Sequence, residues 1–169
     1  MAEIRVVSSD ENKEMIKEII SKSQIILTSS VRLCDMKIRM HSWIQEICDQ
    51  IIRLDSSIRF AGFASDAGKV IAYRYRKKVD PLLTSNETQL SFIDSALRMR
   101  IRKDTEQKLG KAICSITLYE KVTRATILLD SKDYPILMIS FDNSNKRIDR
   151  ESLILNGIIP LLSSHFTRS

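Results

Sequence analysis

Two groups of cations are the residues best placed by type and spacing to do chemistry. Arg74, Arg76, Lys77 and Lys78 stand close together, with Tyr73 and Tyr75 interleaved. Arg98, Arg102 and Lys103 follow, and a helix would set Arg98 and Arg102 one turn apart on the same face. Brought together, these cations would neutralise phosphates or an acidic protein surface, and the tyrosines would stack on bases. Kept apart, they are a solvated helix face and a strand edge guarded by charge against unwanted pairing. Residues 69–111 hold eleven Lys and Arg against five Asp and Glu, while the rest of the chain holds sixteen of each. The net charge of +6 therefore belongs to this one segment. A bare basic patch would give salt-sensitive binding that is indifferent to base sequence, since neither helix-turn-helix spacing nor an RRM aromatic signature accompanies it.

Other reactive groups are sparse. His41 lies between Met40 and Ser42 with no nucleophile nearby, and His165 stands in a polar tail; both read as exposed, structurally neutral residues. Cys34, Cys48 and Cys114 are odd in number and widely spaced, which argues against a disulfide framework and against zinc. Cys48 falls on an apolar helix face and Cys114 in an apolar strand, so both are expected as small core residues. Four glycines leave little room for a phosphate-cradling loop, and GxGxxG, GxxxxGK[ST], GxSxG and HExxH are all missing. Trp43 and Tyr119 are the candidate pocket residues should the fold enclose a ligand. The expectation is a protein without catalytic site, metal or cofactor. No apolar run reaches the roughly 20 residues of a membrane span, and the first residues lack signal-peptide order, so a cytoplasmic location is expected.

These residues must be positioned by a single domain of α and β elements. Residues 1–41 form an N-terminal helical extension, with Met15, Ile16, Ile19 and Ile20 at helical spacing over 10–22. The stretch 23–30 is either a break or a continuing helix. From Ser42 a helix runs to Leu54, opened by a Ser42–Gln45 capping pattern and carrying Ile44, Ile47, Cys48, Ile51 and Ile52 on one face. Ile58–Ala64 and Lys69–Tyr73 form a hairpin. Thr84 and Glu87 open a long helix that Gly110 stops, with Leu90, Ile93, Ala96, Leu97 and Ile101 as its expected inner face. Ala112–Tyr119, Val122–Leu129 and Tyr134–Phe141 make a meander with a turn at 130–133. Asp149 or Asn145 caps a last helix through Leu162, which Pro160 kinks or ends.

The predicted fold is α+β: an α-ββ-α-βββ-α unit over 42–169 around a five-stranded antiparallel sheet of order 2-1-5-4-3, flanked by helices, with the extra N-terminal helix before it. The Ile58–Tyr73 hairpin, the capped helix after Thr84 and the Ala112–Phe141 meander resemble the roadblock domains, and more loosely the profilin, longin and PAS-like families. The wording Ile58-Arg-Phe-Ala-Gly62, Asp80-Pro-Leu-Leu-Thr84 and Leu118-Tyr-Glu-Lys-Val122 is similar to small proteins of ammonia-oxidising archaea, a likeness that brings no activity with it. The roadblock resemblance implies a homodimer whose paired sheets or helices bind a small GTPase or another acidic protein partner. The expected function is thus a non-enzymatic regulatory or scaffolding module of archaeal signalling or cell organisation, acting through homodimerisation and protein–protein recognition. The alternatives are a PAS-like small-molecule sensor and a basic nucleic-acid-associated regulator.

Overall fold

The structure, a computed structural model, describes residues 14, 17, 18, 21, 22, 42–143 and 149–166. The chain divides into two compact units, Met1–Met40 and His41–Ser169. In the first unit the described residues are helical and exposed, with Lys17–Glu14 and Lys22–Glu18 ion pairs at 3.2 and 2.7 Å. The stripe Met15, Ile16, Ile19 and Ile20, the stretch 23–30, Cys34, His41 and Asn145 lie outside the described residues.

The second unit is built on one antiparallel sheet of order β2-β1-β5-β4-β3, as the sequence predicts. Its strands are β1 (Ile58–Ala64), β2 (Val70–Tyr75), β3 (Cys114–Leu118), β4 (Val122–Leu128) and β5 (Ile136–Asp142). Central β5 reads Ile-Leu-Met-Ile-Ser-Phe and is buried at every one of these positions, because helices cover both faces of the sheet. Edge strand β3 alternates instead between partly buried and exposed residues.

The helix over 42–54 (α1) lays Ile44, Ile47, Cys48 and Ile51 on one sheet face, each fully buried. On the other face lies α2 (Ser85–Lys103), opened by the predicted capping box: Thr84 Oγ1 accepts from the Glu87 N–H, and the Glu87 carboxylate accepts from the Thr84 N–H. The helix predicted to run to Leu109 breaks at Asp104–Thr105, and a short α3 (Glu106–Leu109) ends at Gly110, whose φ of 80° suits a residue without Cβ.

The C-terminal helix departs from expectation at Pro160. Asp149 caps α4 (Arg150–Leu153), as predicted, but the chain passes through a π-helical stretch, Ile154–Ile158, and continues as α5 (Ile159–Phe166) beyond the proline. Proline has no N–H to give the carbonyl four residues back, and its ring crowds that carbonyl. The wider π turn just before Pro160 relieves both problems, so the helix neither stops nor needs that bond.

Candidate functional site: a helix face, a strand edge and a cavity

The placement of α2 decides which of its side chains are available. Gly62 lets the helix approach β1 closely: a Cβ there would stand 2.9 Å from Phe60 Cζ and Tyr73 Cβ and 3.0 Å from Phe92 Cζ. Gly68, at φ 76°, lies against the Ile93 backbone, and its carbonyl accepts from the Gln89 side chain at 2.7 Å. Phe92 therefore sinks into the core with Phe60, Ala64, Ala96, Ile136 and Met138. The face of α2 on the sheet is Thr88, Phe92, Ala96 and Met99.

This corrects the expected inner face. Of the residues assigned to it, only Ala96 is buried; Leu90, Ile93, Leu97 and Ile101 are 64, 44, 56 and 61% exposed. The helix carries two apolar stripes, and the one containing the large aromatic ring takes the socket that Gly62 provides. The outward stripe runs three turns along α2 and stays largely open to solvent.

A second open surface is the edge of the sheet. The Ile113–Leu128 and Tyr119–Val122 bonds set the phase of the β3–β4 ladder, so Ser115 and Thr117 bond inward to β4. The N–H and C=O groups of Cys114, Ile116 and Leu118 then point out of the sheet. The side chains of Ile116 and Leu118 are also exposed.

The cations distribute over both sides of the sheet. Tyr73 and Tyr75 pack on Phe60, on the α2 side, so strand alternation turns Arg74 to the α1 side. Arg74 donates to Gln45 Oε1 at 2.6 Å and lies 3.7 Å from Asp49, both on α1. Gln45 therefore receives this guanidinium. Arg76 is held by Asp142 at 2.7 Å and by the Ser56 carbonyl. Asp142 also binds Arg59 at 2.7 Å, where Arg59 is the extra residue of a bulge in the β1–β5 ladder. Lys77 and Lys78 are exposed after β2, with Lys78 at φ 64°. Arg98 pairs with Asp94 at 2.5 Å and Arg102 donates to the Arg98 carbonyl, both on α2 with exposed Lys103. Arg74 thus lies across the sheet from Arg98 and Arg102, on the other side from the interleaved tyrosines, while Arg76 is held by Asp142 at the end of β5.

The two candidate pocket residues are likewise separate. Trp43 packs edge-on against Tyr134, His165 and Phe166 on the α1 side, with ring centroids 6.2, 6.2 and 5.5 Å away. His165 is no exposed tail residue: it is half-buried on α5, and its Nε2 lies 3.2 Å from Gln50 Oε1 on α1. Cys48 is a core thiol, its pKa pushed up to about 12, chiefly by burial. Cys114 is only half-buried, because β3 is an edge; burial, and then the charge of Glu151, raise its pKa.

Tyr119 lines a cavity of about 560 Å³ between the N-terminal half of α2 and the sheet. Arg124 of β4 also faces this space, hydrogen-bonded to Ser91 Oγ and Met138 Sδ. Sequence reading missed Arg124, although a signal was present: it is the lone cation in the strand Val-Thr-Arg-Ala-Thr-Ile-Leu.

No family model matches the chain, and no curated protein matches it. Solved structures do. The gliding protein MglB of Thermus thermophilus aligns at 13% identity over 73% of this chain and 88% of its own, with a TM-score of 0.56. An MglB in a tetrameric arrangement aligns at 13% identity over 76% and 85%, with a TM-score of 0.55. A Roadblock/LC7 domain from Streptomyces avermitilis aligns at 9% identity over 72% and 93%, with a TM-score of 0.54. At such identities the likeness concerns the fold, and it agrees with the strand order and the helix on each face. The sheet and the helices on its two faces have the roadblock-type α+β fold.

Proposed function

We propose that this protein is a non-enzymatic scaffold that acts as a homodimer joined through the β3 edges, leaving the outward face of α2 as a platform for a partner protein. One observation carries the reading: β3 ends the sheet with a row of N–H and C=O groups unpaired among the described residues and bracketed by exposed Ile116 and Leu118. Natural sheets protect such edges with charge, proline or a covering element. Here the strand sequence is Cys-Ser-Ile-Thr-Leu, which has neither charge nor proline and suits pairing with a second copy. The tetrameric arrangement of one MglB of like fold supports self-association.

In such a dimer the sheet continues from one copy into the next, and both α2 helices stand on the same side of it. Their stripes of Leu90, Ile93, Leu97 and Ile101 then face outward, fringed by the exposed cations Arg98, Arg100, Arg102 and Lys103. An apolar centre with a basic rim fits a partner with an apolar patch and acidic surroundings, a small GTPase being one protein of that kind. The test is the solution mass of the full chain by sedimentation equilibrium. A dimer at roughly tens of micromolar is expected, an affinity that a standard-sized interface readily supplies. A monomer throughout that range overturns the proposal.

A further inference from the structure

The cavity beneath the start of α2 is not used by the scaffold reading, and its chemistry is specific. Phe60, Leu82, Leu83 and Val122 supply apolar walls, while the Thr88 and Ser140 side chains add polar points on the helix and on β5. A volume of about 560 Å³ falls within the range of small-molecule sites.

Arg124 decides the ligand class. Its side chain is half-buried, and among the described residues no carboxylate comes within ion-pair distance of it. Of the acids near it, Asp94 pairs with Arg98 and Glu87 with the Thr84 cap, while Glu120 lines the cavity beside Lys121 and stays outside ion-pair distance of Arg124. The contacts of the guanidinium are a serine hydroxyl, a thioether and the side chain of Tyr119, none of them a carboxylate. Burial lowers the pKa of Arg124 as the largest influence, with Tyr119, Tyr75 and Asp94 acting the other way. A partly buried guanidinium without an ion-pair partner is costly, and a bound anion would offset that cost with two parallel charge-assisted hydrogen bonds.

We propose that this cavity binds a small monocarboxylate with an apolar body, Arg124 taking the carboxylate and the walls around Phe60, Leu83 and Val122 taking the body. The site differs from the β3 edge and the α2 stripe, so it stands or falls independently of dimerisation.

The probe is decanoate below its micelle concentration, titrated calorimetrically into the full chain, with decanol and inorganic phosphate as controls. Decanoate should bind roughly tenfold or more tighter than decanol, the difference being the charge-assisted contact, and phosphate should bind more weakly than decanoate because it has no apolar body. Arg124→Gln should reduce decanoate binding to the level of decanol without changing decanol binding. The three-probe comparison on the unaltered protein is decisive even if that variant fails to fold. Equal binding of decanoate and decanol, no decanoate binding at millimolar concentration, or undiminished decanoate binding by a folded R124Q protein would each overturn the proposal.

Discussion

Truncation of Leu118 to alanine tests the β3 interface most directly. Leu118 is 76% exposed, and full burial of a leucine side chain stabilises by about 1.5–3 kcal/mol. Covering that exposed part in a dimer would therefore contribute about 1–2 kcal/mol per copy. The two-fold relation doubles the effect, so Leu118→Ala should weaken dimerisation by about 2–4 kcal/mol, a thirty-fold to several-hundred-fold rise in Kd. The monomer should be scarcely affected, because so exposed a side chain contributes little to its own core. Ile116→Pro examines the backbone separately. The N–H of Ile116 points outward, so proline there spares the β4 ladder and removes a bond only from the dimer. Sedimentation equilibrium gives the Kd, and thermal unfolding monitors the fold. An unchanged dimer in both variants would refute the β3 argument. If Leu97→Glu, which should leave the dimer intact, dissociated it instead, the interface would lie on the α2 stripe.

Other consequences concern the frame that holds these surfaces. Gly62→Ala should destabilise by about 1–3 kcal/mol in denaturant unfolding, because the Tyr73 Cβ that it meets cannot swing aside. Asp142→Ala strands two partly buried guanidinium groups, those of Arg59 and Arg76, and should lower stability by about 2 kcal/mol, or roughly 4–8 °C in Tm. Cys48 should resist alkylation at pH 8 while the protein is folded and react on unfolding, as read by site-resolved mass spectrometry. The same thiol links stability to pH. Its folded pKa of about 12 lies above the ordinary 9.0, so its contribution is full below pH 9 and is lost as the pH rises towards 12. A Cys48→Ala variant should show a shallower alkaline loss over that interval.

Local signals were enough to specify the elements and their order. The Thr84–Glu87 box, the Asp149 cap, the stop at Gly110 and the alternating strands each depend on residues within a few positions of one another, so they can be read along the chain. The short links within each strand group then leave β2-β1-β5-β4-β3 as the economical order. The residues that sequence alone misassigned all depend on distant neighbours. Which stripe of α2 faces inward is decided by the socket at Gly62, some thirty positions before Phe92. His165 is drawn to Trp43 and Gln50 by the docking of α5 beside α1, across more than a hundred residues. The basic segment looks continuous in sequence but divides in space, because strand alternation turns Arg74 towards Asp49 while Arg98 stays on α2. Arg124 has meaning only beside a cavity that β4 and α2 enclose together. Sequence by itself determined which elements form, their order and how the strands pair. Tertiary packing alone decided which faces remain open, because burial depends on what the far parts of the chain bring to each surface.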